Sequence, residues 1–211
     1  MLHGSAPRTL VLHGVRLKGF ARIEQLAEVT GMYPSEIHDF LDQLRAQELV
    51  TLREGRVSGW VLTELGRQHH ADIVAAELEE AGMRDRVRDS YRRFLEVNTN
   101  LLEVCTDWQM RTVDGRQVLN DHTDRSYDQS VIARLRSIDG EIQPVCGTLG
   151  SGLSRFHTYG PRLTNALKRV ESGDIDWFAK PVIDSYHTVW FELHEDLLST
   201  LGIERARESG A

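Results

Sequence analysis

The sequence predicts a mainly α-helical protein with one small β-hairpin near its N-terminus. Three observations predict this class. Apolar residues recur at steps of three and four through most of the chain, the period of a helix with one buried face. Two short β-branched stretches, Leu49-Val50-Thr51-Leu52 and Val57 to Leu62, flank Glu54-Gly55, a turn signal between strands. Gly31, Pro34 and Gly82 punctuate the helical pattern where one helix must end and the next begin.

Bulk properties set outer bounds. At 211 residues the chain can hold one large or two small domains. It carries 25 Lys plus Arg against 32 Asp plus Glu, a net charge of −7, and the surplus acid lies beyond His70. An acidic far part is compatible with DNA binding by a neutral near part, provided that Lys18, Arg22, Arg53 and Arg56 face the duplex. Lys18, Lys168 and Lys180 are the only lysines among many arginines, a bias associated with a GC-rich bacterial genome. Two cysteines, Cys105 and Cys146, with no signal peptide and no apolar run long enough to span a bilayer, predict a cytoplasmic protein that does not enter a membrane.

In chain order, Met1 to Ala6 reads as a loose terminus. Pro7 to Lys18 is a helix with Leu10, Val11, Gly14 and Leu17 on one face. Ala21 to Thr30 places Ile23, Leu26 and Ala27 on one face, and Gly31 stops it. Pro34 suits the first position of the next helix, where its missing N–H costs nothing. That helix runs to about Gln47. It buries Ile37, Phe40, Leu41 and Leu44 and leaves Ser35, Glu36, His38, Asp39, Asp42 and Gln43 outward. The hairpin follows, with Arg53 and Arg56 flanking a two-residue Glu54-Gly55 turn.

Helix, turn, helix and hairpin in this order read as a winged helix-turn-helix. The segment Glu54-Gly55-Arg56, then Leu62-Thr63 and Gly66-Arg67, resembles the wing-to-helix signature of MarR-type transcription regulators. Gln25-Leu26-Ala27, Gly31, Leu44 and Leu49-Val50 fall where those regulators have theirs, over roughly the first third of the chain. The resemblance implies that Arg56 reaches into a minor groove and that the helix from Pro34 enters a major groove. Candidate DNA-binding residues are Ser35, His38, Gln43, Arg53 and Arg56. Two departures stand against it: Tyr33 occupies the position of the usual Ser or Thr cap, and the outward face carries Glu36, Asp39 and Asp42, which phosphates repel.

Thr63 reads as the N-cap of a helix to about Ala81, with His69-His70 as surface residues. Val87, Tyr91, Phe94, Asn98, Leu101, Cys105 and Trp108 then form a heptad seam. Arg111 to Asp124 reads as a loop. Val131, Leu135, Ile138, Ile142, Val145 and Leu149 form a second seam, which Pro144 should kink or split. Gly147 to Gly160 is a glycine-rich connection. Leu163, Leu167 and Val170 mark a third helix, and Pro181 to Leu201 a fourth. The domain reading is a winged helix-turn-helix over 7–67 and a helical bundle over 68–205 that dimerises or senses an effector.

On the last helix, His187 and His194 fall in the apolar arc of Val182, Tyr186, Trp190, Leu193 and Leu201, away from Thr188, Glu192 and Glu195. Three readings stand for this face: satisfied core histidines, a metal site, and a small-molecule effector pocket lined by Asn98, Trp108, His187, Trp190 and His194. The spacing is diagnostic of no metal, no cofactor motif is present and no catalytic residues are assigned. The resulting expectation is a DNA-binding transcription regulator. Its partners would be double-stranded DNA, a second copy of the chain in a homodimer, and a small-molecule effector. A protein-interaction module that has lost DNA affinity, and an enzyme of unknown class in the bundle, are the alternatives.

Overall fold

The computed structural model describes residues 2–203, so the last two residues of the bundle reading lie outside the described residues. The chain is mainly helical with two small antiparallel hairpins. In order these are α1 (Pro7–Lys18), α2 (Ile23–Thr30), α3 (Pro34–Ala46), β1 (Val50–Arg53), β2 (Gly59–Leu62), α4 (Glu64–Glu80) and α5 (Arg84–Gln109). They continue with β3 (Met110–Val113), β4 (Arg116–Leu119), α6 (Arg125–Gly152), a 3-10 turn (Ser154–Thr158), α7 (Tyr159–Glu171), α8 (Asp176–Ala179) and α9 (Tyr186–Leu201).

Two apolar clusters form the interior. One joins Val11, Leu12 and Val15 of α1 with Leu26, Ile37, Leu41, Leu44, Val50, Trp60 and Leu62. The other runs the length of α5 and α6 and takes in α7, α8 and α9. Both predicted heptad seams face this second core: Val87, Tyr91, Phe94, Leu101, Cys105 and Trp108 are buried against Val131, Leu135, Ile138, Ile142, Val145 and Leu149. Asn98, in the same seam, is only half-buried. Helix α4 serves both cores, Ile73 packing on the first and Leu78 on the second.

Local chemistry fixes the N-terminal unit. Gly31 closes α2 in the left-handed region at φ 70°. Glu36 accepts the Tyr33 N–H at 3.0 Å, so a glutamate at the third helical position supplies a terminal bond that Tyr33 cannot provide through its own side chain. Thr63 caps α4, its Oγ1 accepting the Gly66 N–H at 2.9 Å. Gly66 itself is a close approach: a Cβ there would sit 1.9 Å from the Leu49 carbonyl oxygen. Ala21 adds a third, one-residue rung to the hairpin, exchanging both backbone bonds with Trp60 at 2.8 and 2.9 Å.

Several expectations need correction. The first hairpin does not turn at Glu54-Gly55. Arg53 pairs with Gly59, so residues 54–58 form a five-residue loop, with Arg56 inside it and Val57 exposed. The segment read as a loop from Arg111 holds a second hairpin, β3–β4, whose Asp114-Gly115 turn takes φ 50° and 74°, the positive pair that a two-residue turn requires. Its residues from Thr112 to Leu119 are all exposed, so no alternation of apolar and polar positions marks it in sequence. Pro144 does not split α6: it faces solvent, where water can satisfy the carbonyl left without its helical donor. Residues 147–152 belong to that helix, and two of the glycines allow close contact: a Cβ on Gly152 would meet the Met83 side chain at 2.3 Å and one on Gly150 the His157 backbone at 3.2 Å. The last helix starts at Tyr186, capped by Ser185, so Val182 lies outside it and is exposed. The N-terminal segment is held, because His3 bonds Gly152 and Ser154 through its backbone at 2.9 Å each.

Candidate functional site

Ser35, His38 and Gln43 are all exposed on α3, as are Arg53 at the end of β1 and Arg56 in the loop after it. The acidic residues among them are partly engaged: Glu36 caps the helix, and His38 Nδ1 lies 3.2 Å from Asp42 Oδ2. The five-residue loop means that Arg53 and Arg56 do not face each other across a tight turn.

The five residues read as an effector pocket separate into groups. Trp190 Nε1 donates to Asn98 Oδ1 at 2.9 Å, which satisfies the indole N–H. Trp190 and His194 share the Phe94 ring, with centroids 4.9 and 4.8 Å away. His194 is buried, whereas His187 is half-buried and burial lowers its pKa. Trp108 stands apart from these, stacked on Phe178 at 4.2 Å and touching His122 at 4.4 Å. Asn98, Trp190 and His194 thus meet around filled core.

The opposite face of α9 is the larger departure. Glu192 and Asp196 are 3% and 0% exposed, although Glu192 reads in sequence as outward. They are covered because α1 and α4 pack against α9, and the two units meet through charged groups there. His70 is likewise buried and not a surface residue. At one end of this interface His70 Nε2 lies 2.9 Å from His13 Nδ1, and His13 Nε2 lies 3.1 Å from Asp196 Oδ2, off the line of a well-aligned hydrogen bond. Tyr159 donates to Asp196 at 3.0 Å, and Thr200 donates to it at 3.1 Å while accepting from Arg155 at 2.6 Å. At the other end Arg162 holds Asp184 through two bonds of 2.9 and 3.0 Å and Glu192 at 2.7 Å; Lys18 of α1 also pairs with Glu192.

The protonation states follow from these neighbours. Burial, reinforced by His13, pushes the His70 imidazole down to about 2, so it is neutral. Burial alone would raise the Asp196 carboxyl, but His13, Arg155 and the Tyr159 hydroxyl hold it well below the usual carboxylate range. One proton lies between His13 Nδ1 and His70 Nε2, since two imidazole nitrogens at 2.9 Å need a donor and an acceptor. Two cavities open beside the network. One, of about 490 Å³, lies between Leu17, Lys18 and Arg22 on one side and Trp177, Val182 and Phe191 on the other. The smaller, of about 100 Å³, is bordered by His13, Arg155, Tyr159, Arg162 and Asp196.

Sequence reasoning missed this interface because its members are scattered from residue 13 to residue 200 and only folding assembles them. The one available signal was the poor apolar periodicity of α4, whose buried face includes His70 and Glu77. Among the described residues no cluster of His, Cys, Asp and Glu could hold a metal ion, and no helix is long and apolar enough to cross a membrane. Both cysteines are buried and unpaired, and burial pushes each thiol up to about 12, so neither is a thiolate near neutrality.

Compared with known proteins, the chain matches no family model, and neither a curated protein nor a solved structure matches it significantly.

Proposed function

We propose that the chain is a DNA-binding transcription regulator whose N-terminal unit, residues 7–67, acts as a winged helix-turn-helix of the MarR-like kind. The observation that carries the reading is the position of α3. Its apolar stripe closes the N-terminal core, and its opposite face leaves Ser35, His38 and Gln43 open, followed by β1, which ends at Arg53, and a five-residue loop bearing Arg56. A major groove would accept such a helix and a minor groove the loop arginine. The one-residue rung at Ala21 and the cap at Thr63 support the same reading, since they fix the hairpin against the helices on both sides.

Function as a homodimer follows from the symmetry of operators, with the C-terminal half, residues 68–205, supplying the dimer contacts. The effector site moves from the histidine face of α9, as read in sequence, to the 490 Å³ cleft where α1 and α2 meet the C-terminal helices. A ligand there would touch both units at once. The route from effector to DNA then includes α1 as well as α4, because α1 packs directly on α9.

A second reading, a protein-contact module, is favoured by Asp39 and Asp42 on the open face of α3, which phosphates repel. Anisotropy of a labelled random-sequence duplex at low and high salt separates the two. Regulation by DNA binding requires saturable binding that weakens with salt and is weakened further by Arg56→Ala and Arg53→Ala. No binding at low salt would leave the protein-contact reading. Binding unaffected by either arginine would remove the loop from the interface.

A further inference from the structure

A separate constellation lies at the far end of the bundle, at the base of the β3–β4 hairpin, and the regulatory reading makes no use of it. Tyr127 donates to the carbonyls of Asp107 and Met110 at 2.9 and 3.0 Å, clamping the point where α5 passes into β3. Asn120 closes the hairpin, its N–H bonding the Gln109 carbonyl at 2.8 Å. Its side-chain amide donates to the Trp108 carbonyl at 3.1 Å and to Asp128 Oδ1 at 2.8 Å. Both amide hydrogens are thereby used, and Asp128 is held in place at 9% exposure.

His122 is set against that carboxylate. Its Nδ1 lies 3.2 and 3.1 Å from the two Asp128 oxygens, and its ring touches Trp108. Asp128 accepts and the Asn120 amide is engaged elsewhere, so the Nδ1 proton belongs to the imidazole and the lone pair of the neutral ring is on Nε2. Nε2 is neither among the buried atoms nor hydrogen-bonded among the described residues. The backbone of His122 takes φ 58°, a left-handed conformation that costs a non-glycine residue energy and that the surrounding bonds must maintain.

The ring borders a surface cleft of about 450 Å³, whose other walls include Leu119, Ile175, Ala179 and Lys180. Leu119 and Ile175 are exposed apolar side chains. Lys180 is neutralised by Asp176 at 2.6 Å. The cleft therefore offers the His122 Nε2 as an oriented acceptor, the apolar Leu119, Ile175 and Ala179, the amides Gln109 and Asn120, and no net charge from its Lys180–Asp176 pair. Lys180 and Asp176 both line the cleft and neutralise each other, so neither is left to hold a charged ligand. The group that fits is a neutral donor on an apolar body.

We propose that His122, oriented by Asp128 and Asn120, is the acceptor of a second small-molecule site, which takes a compact aromatic ligand through its hydroxyl group. Asp128 is a positioning residue: it acts on the ligand only through the imidazole tautomer. The hydroxyl donates to Nε2 while the ring covers Leu119 and Ile175.

The test titrates the full-length protein with phenol, whose hydroxyl stays protonated at neutral pH, following the carbon-bound imidazole protons of His122 by NMR, with toluene as the comparator that lacks the hydroxyl. A saturable shift at His122 is expected with phenol and none with toluene. His122→Asn, which tolerates the left-handed backbone, should weaken phenol binding about tenfold. Asp128→Asn should do the same with the imidazole still present, because an amide at that position can donate to Nδ1 and move the ring proton to Nε2. His70→Gln, at the distant interface, should leave affinity unchanged. The proposal is overturned if His122 shows no saturable shift, if toluene binds as tightly, or if His122→Asn binds as wild type. The first two outcomes are read on wild type alone, so an unfolded variant does not protect the idea. DNA affinity enters none of these measurements, so their outcome is independent of the regulatory reading.

Discussion

At His70, burial and a neighbouring imidazole act in the same direction, and the consequence is a pH-dependent stability whose sign is fixed. The folded-state value, about 2, lies below the ordinary 6.5, so under acid the unfolded chain takes up a proton that the folded chain refuses. The contribution is absent above 6.5 and becomes a growing cost as pH falls through 6.5 towards the folded value. Between about pH 7.5 and about pH 5.5 wild type should lose about 1.4 kcal/mol more than His70→Gln, read by urea unfolding. The half-buried His187 shifts in the same direction in both proteins and cancels in the comparison. Equal losses would mean that His70 is solvated or already paired in the unfolded chain. None of this was legible in sequence. Adjacent histidines do not share a helix face, and that argument holds, since His69 is only half-buried. It could not say which of the two faces α1, because the partner, His13, lies 57 positions away.

Among the elements, legibility followed the apolar pattern. Helices α5 and α6 show their seams plainly because each packs along one side for its whole length, so the buried positions repeat. The exposed hairpin β3–β4 has no such pattern, and α1 is covered on two sides, with Val11 to Val15 all buried, which erases its single stripe. Glycines mislead in a similar way. Those of α6 read as a loop by composition, yet Gly152 is there because Met83 occupies the space of a side chain. Gly66 is the stricter case, since backbone and not a flexible side chain blocks it. Gly66→Ala should therefore cost about 3 kcal/mol or more, at the upper end of overpacking, because Leu49 and the β1–α4 junction must move together. Removal of the neighbouring cap by Thr63→Ala should cost about 1 kcal/mol. Thermal or denaturant unfolding of the two variants measures both. A Gly66→Ala protein as stable as wild type would show that the junction yields without strain.

On the scale of the whole molecule, two apolar cores are joined by a polar seam, whose charges we expect to fix one docking geometry rather than to add net stability. Arg162 reaches Asp184 and Glu192, Lys18 brings α1 to the same carboxylates, and Arg155 with His13 and Tyr159 surrounds Asp196. A buried ion pair returns little net stability, since desolvation offsets most of the attraction, but removal of one partner leaves an uncompensated charge. Arg162→Met should therefore destabilise the protein, by less than the about 3–5 kcal/mol of a buried charge left wholly unpaired, because Lys18 remains as the cation of Glu192. Burial ordinarily opposes the charge on Arg162, and the two carboxylates hold the guanidinium firmly protonated, so this cost should persist at high pH. The double variant Arg162→Met with Glu192→Leu replaces the charges by apolar volume and should recover most of the loss, as a double-mutant cycle in urea would show. Lys18, left with the partly exposed Asp184, can turn its amine towards solvent. If instead the double variant is as unstable as Arg162→Met, the seam contributes net stability and its role as a register device is wrong. Recovery of stability together with duplex binding equal to wild type would place the seam in holding the two units together. Recovery with altered duplex binding would place it on the route by which the C-terminal helices act on α3.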